Sequence, residues 1–100
     1  MDERVIAEIA RADRAKMILE DPMVVEALTA MRDHIMQAWQ ESPARDKEGR
    51  EELFRYIKVI GQFESVFRTH IETGALAAHQ LRTEEERNSV LARLRDKLPF

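Results

Sequence analysis

The chain has 100 residues and a net charge of −3, and 44% of its residues are hydrophobic while 35% are charged. This balance excludes a disordered chain, and the lack of cysteine excludes a disulfide framework and thiolate chemistry. With only three glycines and three prolines, the composition predicts one soluble helical domain over residues 1–100. No apolar run approaches the roughly 18 residues of a membrane span, and no segment is basic enough for a nucleic-acid footprint. We therefore expect neither a membrane nor DNA as a direct partner.

Two helices are predicted before residue 42. The first covers about 3–20, where acids and bases share the polar side, as in an ordinary solvated helix. Asp21 and Pro22 then form a cap and a helix start, and the second helix covers about 22–41. This break also resembles a helix-turn-helix, but with Arg32 as its only base the second helix is a poor DNA reader. The apolar residues of the second helix follow the spacing of coiled-coil packing: Val24, Leu28, Met31, Ile35 and Ala38.

A long central helix is predicted over about 43–73. Ser42 is a suitable N-cap and Pro43 suits the first helical position, whereas an alternative start uses Asp46 as the cap. At the other end, Gly74 can adopt the left-handed conformation that closes a helix.

The central helix carries a wide apolar arc, which indicates neighbours on more than one side. Gly61 interrupts this helix and is predicted to be a notch for close packing rather than a hinge. Glu64, Arg68 and Glu72 are expected on the solvent side, as weakly stabilising charge pairs. The arc consists of two stripes, the first with Leu53, Ile57, Ile60, Phe67 and Ile71, the second with Val59, Phe63, Val66 and His70.

A fourth helix is predicted over about 75–97, and the capping-box pattern from Thr83 to Glu86 could restart it. This tail is the most basic part of the chain, and its leucines recur at helical spacing. Two interpretations stay open for residues 83–100. They pack back on the bundle with a solvated basic face, or they protrude and dock on a partner.

The length of the central helix determines the expected architecture. Roughly 30 helical residues span about 45 Å, whereas a compact domain of this size has a radius of gyration of about 13 Å. The sequence therefore predicts an all-α fold, a long antiparallel helical hairpin with flanking N- and C-terminal helices. Such an elongated bundle can continue its apolar seams onto other copies, so we expect a homo-oligomer.

No catalytic chemistry is recognisable. The three histidines, His34, His70 and His79, are dispersed, and the chain has neither a nucleophile with an adjacent base nor a glycine-rich phosphate loop. We expect no enzyme activity, no cofactor and no metal site.

The turn after the second helix has two interpretations. Trp39, Arg45 and Arg50 can tie the turn together through packing and charge-assisted hydrogen bonds. Alternatively they form a contact surface, because aromatic residues and arginines are the commonest binding hot spots.

The run from Ala38 to Leu53, AWQESPARDKEGREEL, is followed by Glu72-Thr73-Gly74 and Ala77. This pattern resembles one found in small helical proteins encoded by tailed phages and prophages. The shared features are the tryptophan, the Ser-Pro turn, Arg-Asp, the Glu-Gly-Arg-Glu step and the later Thr-Gly. The resemblance covers about half of the chain and implies a role in head assembly or genome packaging, without implying functional residues.

We therefore expect a non-enzymatic, oligomerising scaffold of a phage head-assembly or packaging module, similar to a small terminase-type subunit. Its partners would be other copies and a phage packaging or capsid protein, in the host cell cytoplasm or on the virion. The alternative is a phage-encoded stoichiometric inhibitor of a host defence or regulatory protein. The candidate interaction residues are Trp39, Arg45, Arg50, Phe63, Phe67, Arg87, Arg93 and Arg95.

Overall fold

The computed structural model describes residues 2–98 and shows three α-helices in that part of the chain. Helix α1 spans Glu3–Glu20, α2 spans Pro22–Glu41 and α3 spans Lys47–Lys97. The prediction of an elongated all-α fold is confirmed. The first two helices match their predicted bounds, but the third is one helix of 51 residues where two were predicted.

An aspartate begins each helix. The side chains of Asp2, Asp21 and Asp46 accept hydrogen bonds from backbone N–H groups of the turns that follow, at 2.9, 2.8 and 3.1 Å. The long helix therefore begins at its alternative start, after Asp46. Ser42 ends α2 instead of opening α3, because its hydroxyl donates to the carbonyl oxygen of Trp39 at 2.6 Å.

Helix α3 passes through Gly74 without a break, which contradicts the predicted stop there. No described glycine has a positive φ, and Gly74 is buried against α1. A Cβ atom at Gly74 would collide with the methyl group of Ala12 and lie 3.0 Å from the carbonyl oxygen of Glu8. The prediction of a packing notch at Gly61 is wrong, because nothing lies within 4 Å of a Cβ atom built there. The close packing occurs at Gly74, where it outweighs a helix-propensity cost of about 1 kcal/mol.

Helices α1 and α2 lie end to end along α3, and both run antiparallel to it. Val5, near the start of α1, lies beside Ala77, whereas Trp39, near the end of α2, lies beside Leu53. The result is a rod of 83 × 25 × 19 Å with a radius of gyration of 23.0 Å. The molecule is thus a long helical hairpin whose first arm is interrupted at Asp21.

The last part of α3 extends beyond α1. Every residue from Arg82 to Leu98 is exposed, and we call this segment the C-terminal extension. Thr83 does not restart a helix, because its hydroxyl donates to the carbonyl oxygen of His79 at 2.9 Å within the continuous helix. Of the two predicted arrangements of the tail, the structure has the protruding one.

Candidate interaction surfaces

The contact between α1 and α3 is made by small residues. Ala12 of α1 faces Gly74 of α3, and Ala15 of α1 and Ala77 of α3 are buried as well. Small side chains let two helix backbones approach closely, so this half of the hairpin is tightly closed.

The contact between α2 and α3 is made by larger residues and leaves two apolar grooves on the surface. The first, which we call the mid-hairpin groove, has a volume of about 350 Å³ and the second, the tip groove, about 300 Å³. The mid-hairpin groove is lined by Val24, Ala27, Leu28, Met31, Val59, Ile60 and Phe63. The tip groove is lined by Ile35, Met36, Trp39, Leu53, Phe54 and Ile57.

The two predicted stripes of α3 have different environments. In the first stripe Ile60 is buried and Phe67 is half-buried against the other arm. In the second stripe Phe63 remains 48% exposed, and its ring meets that of Phe67 edge to face at 5.0 Å between centroids. The two phenylalanines therefore differ, since Phe67 belongs to the inner seam of the hairpin and Phe63 to its surface. We call the exposed set the outer stripe; it consists of Tyr56, Val59, Phe63 and Val66.

The turn between α2 and α3 brings together two of the three residues predicted there. The guanidinium group of Arg50 lies 4.8 Å from the centre of the Trp39 ring, and its Nε donates to Ser42 Oγ at 3.2 Å. Arg45 is exposed in the turn and is not part of this cluster. Arg50 thus ties the turn to the end of α2, while Trp39 is 46% exposed and lines the tip groove.

A buried carboxylate lies in the seam between α2 and α3. Glu64 is only 7% exposed, and its carboxylate contacts the guanidinium groups of Arg32 and Arg68, the latter at 3.1 Å. The prediction that Glu64 faces solvent is therefore wrong. A signal was present in the sequence, because Glu64 stands in the seven-residue register of Ile57 and Ile71. A charge in such a seam needs a partner, which Arg32 provides from α2.

The C-terminal extension combines basic and apolar residues on one exposed helix. The candidate residues Arg87, Arg93 and Arg95 all lie on it and are exposed. Its large apolar residues are about half-exposed as well: Val90, Leu91, Leu94 and Leu98. The rod therefore carries an apolar surface near each end.

The exposed area of the chain is large for its mass. The accessible surface is 8588 Å², whereas a compact monomer of 11.7 kDa exposes about 5,900 Å². The surplus of about 2,700 Å² exceeds the roughly 800 Å² that each partner contributes to a standard interface. Among the described residues, most of those buried are small, and no large side chain is completely enclosed.

Tyr56 has a raised pKa, and a neighbouring carboxylate is the cause. Its hydroxyl donates to Glu52 Oε1 at 2.7 Å, and this hydrogen bond, reinforced by the carboxylate charge, raises the pKa of Tyr56 above 10.0. Within residues 2–98 no group of three or more His, Asp or Glu side chains is placed to hold a metal ion. No helix in that range is long and apolar enough to cross a membrane.

Comparison of the chain with family models, curated proteins and solved structures finds no match in any of the three.

Proposed function

We propose that this chain is a non-enzymatic scaffold subunit in a phage head-assembly or genome-packaging module. It self-associates through the open half of its hairpin, where α2 meets α3 and the two apolar grooves lie. Self-association is supported by the apolar surface near both ends of the rod. The total accessible surface of the chain also exceeds that of a compact monomer of the same mass by about 2,700 Å². The phage setting is supported by the resemblance of the stretch from Ala38 to Leu53.

Association has a simple physical basis in this molecule. Burial of the apolar grooves and stripes is favourable by about 25 cal/mol of free energy for each Å² of apolar surface that is removed from water. A rod of 83 Å then sets the spacing of the subunits, and the arginines of the tip and of the extension are repeated in each copy. A packaging or capsid protein would bind this repeated surface, as in small terminase-type assemblies.

Solution mass tests the proposal most directly. Light scattering across a concentration series is expected to give one defined oligomer, and this oligomer is expected to co-purify with the packaging or capsid protein encoded beside it. A monomer at every concentration would contradict the scaffold function. If that monomer bound a host protein in a one-to-one complex, the inhibitor function would take its place.

A further inference from the structure

The two apolar grooves open on opposite sides of the hairpin. On α2, Ala27 lines the mid-hairpin groove and Met36 lines the tip groove. On α3, Phe63 lines the mid-hairpin groove and Phe54 lines the tip groove. Each pair is nine residues apart, which is two and a half turns of an α-helix, so its two side chains point in opposite directions. The outer stripe therefore belongs to one side of the open half, which we call the outer face.

The outer face has no Asp, Glu, Lys or Arg on either helix. On α3 it consists of the outer stripe, and on α2 it consists of an exposed set that we call the α2 strip: Met23, Ala27, Ala30 and His34. The α2 strip falls within about 60° of the helix circumference, because each residue turns the helix by about 100°. With 35% of the chain charged, eight positions would on average carry about three charges. The opposite side of the same helices has Arg32, Lys58 and Arg68. The outer face is therefore the side that can leave water at little cost.

The outer face is large enough for a stable contact. All four side chains of the outer stripe are about half-exposed or more, as are Met23 and Met31. An aromatic side chain buries about 150–250 Å² when it is enclosed, so these six side chains leave on the order of 600 Å² uncovered. The alanines and His34 add to this area. The total is comparable to the roughly 800 Å² that each partner contributes to a standard interface.

The two helices of the outer face have complementary shapes. The outer stripe is a ridge of large side chains with Phe63 in its middle, whereas the middle of the α2 strip is low because it consists of Ala27 and Ala30. Ala27 and Phe63 line the same groove, so they lie at one level of the rod. A ridge and a matching low strip thus stand side by side on one surface. Such a surface is complementary to a second copy of itself.

We infer that two copies of this chain bind each other through their outer faces, with Phe63 of each copy packed on Ala27 and Ala30 of the other; this rests on the self-association proposed above. The two-fold axis runs along the rods. Rotation about it exchanges the positions of α2 and α3 but keeps every residue at its level. The ridge of each copy therefore lies on the α2 strip of the other, and the open halves form a four-helix bundle.

Side-chain size selects this axis over the other two-fold arrangement of two facing hairpins. An axis across the rods would place α3 on α3 and α2 on α2. Phe63 would then meet Phe63 while the alanines of the two α2 strips faced each other across a gap. Large side chains opposite small ones fill the space between the helices evenly, and only the axis along the rods provides this.

The contact is limited to the open half of the hairpin. The same side of α1 carries Arg4, Glu8 and Arg11, of which the first two pair with each other at 3.1 Å. These charges stay in water, because a crossing angle of about 20°, the usual value in four-helix bundles, separates the α1 halves of the two rods. The tip groove opens on the opposite side and stays free for a different partner.

Single cysteine variants test the pairing, because the chain has no cysteine of its own. Val59→Cys lies on the ridge and Ala30→Cys on the α2 strip, and both positions are exposed. A short bis-maleimide reagent is expected to join the two variants when they are refolded together, and to leave each variant uncross-linked when it is treated alone. A link within one chain cannot form, since each chain has one cysteine. Mass spectrometry identifies the joined peptides.

The matched control uses the neighbouring residues on the opposite side of each helix. Lys58→Cys and Thr29→Cys are also exposed, and the same treatment is expected to leave their mixture uncross-linked. Circular dichroism checks that each variant keeps its helices. A link from Val59→Cys to its own copy would show α3 lying on α3 and would overturn the pairing of ridge and strip.

A charge substitution provides a second measurement. Ala30→Glu places a charge under the ridge of the other copy, so the dissociation constant from light scattering is expected to rise by about tenfold or more. Thr29→Glu is expected to leave it unchanged. Equal dissociation constants for these two variants would overturn the outer-face dimer. An oligomer without the mixed cross-link would also overturn it and leave self-association standing, whereas a monomer at every concentration would overturn both.

Discussion

The two halves of the hairpin solve the same packing problem differently. Where α1 meets α3, alanines and Gly74 bring the backbones together and the contact is closed. Where α2 meets α3, larger side chains hold the helices apart and leave two apolar grooves. The half with large residues therefore keeps apolar surface that the hairpin itself does not cover.

The largest expected effect is in the closed half. Gly74→Ala places a methyl group against Ala12 and the carbonyl oxygen of Glu8, so we expect a loss of about 2–4 kcal/mol in the free energy of unfolding. Chemical denaturation followed by circular dichroism measures it. The matched control is Gly61→Ala, where the methyl group meets nothing and better helix propensity is expected to add about 0.5–1 kcal/mol.

A compensating change tests the cause. Ala12→Gly removes the methyl group that Gly74→Ala would meet, so the double variant is expected to recover much of the lost stability. If the double variant were as unstable as the sum of the two single variants, the close approach of α1 and α3 would not be the reason.

The second effect is in the open half and concerns association. Phe63→Asp puts an unpaired charge in the mid-hairpin groove, and we expect it to weaken self-association by about a hundredfold. The monomer should keep its helical content because Phe63 is on the surface. Light scattering and circular dichroism measure the two properties separately.

Phe67→Asp is the informative counterpart of that variant. The ring of Phe67 is half-buried in the inner seam. The substitution is therefore expected to lower the unfolding temperature of the monomer and also to weaken association. Equal thermal stability of the two variants would contradict the division of α3 into an inner seam and an outer stripe.

The third effect concerns the charge in the α2–α3 seam. Arg32→Met removes one of the two partners of Glu64 and leaves a buried carboxylate with Arg68 alone, so we expect a loss of about 1–3 kcal/mol. Arg32 is itself partly exposed, which keeps the value below that of a fully buried pair. The double variant Arg32→Met with Glu64→Leu is expected to regain stability, and continued instability would show that the ion pair is not what Arg32 contributes.

The sequence predicted what depends on local pattern, and it failed where a second segment decides. Aspartate caps and the two apolar stripes are local, so the bounds of α1 and α2 and the elongated shape could be derived. By its local sequence, Gly74 is a good helix end. It lies inside the helix only because Ala12, which is 62 positions away in the sequence, packs closely against it. Glu64 has the four-residue spacing to Arg68 that is typical of a solvent-side pair, whereas its seven-residue register with Ile57 places it in the seam.

The smallest expected effect is the titration of Tyr56, at the end of the outer stripe. The hydrogen bond from its hydroxyl to Glu52 raises the pKa of Tyr56, because the folded chain holds the neutral phenol more firmly than the unfolded chain does. The resulting stability is present below pH 10.0 and is lost as the pH rises through the raised pKa. Since Tyr56 is the only tyrosine, phenolate absorbance reports it alone. Glu52→Gln is expected to bring the pKa back towards 10.0, while Glu51→Gln, which disturbs only the exposed pair with Arg55, leaves it raised. An unchanged pKa in Glu52→Gln would mean that the end of the outer stripe is not held by this hydrogen bond.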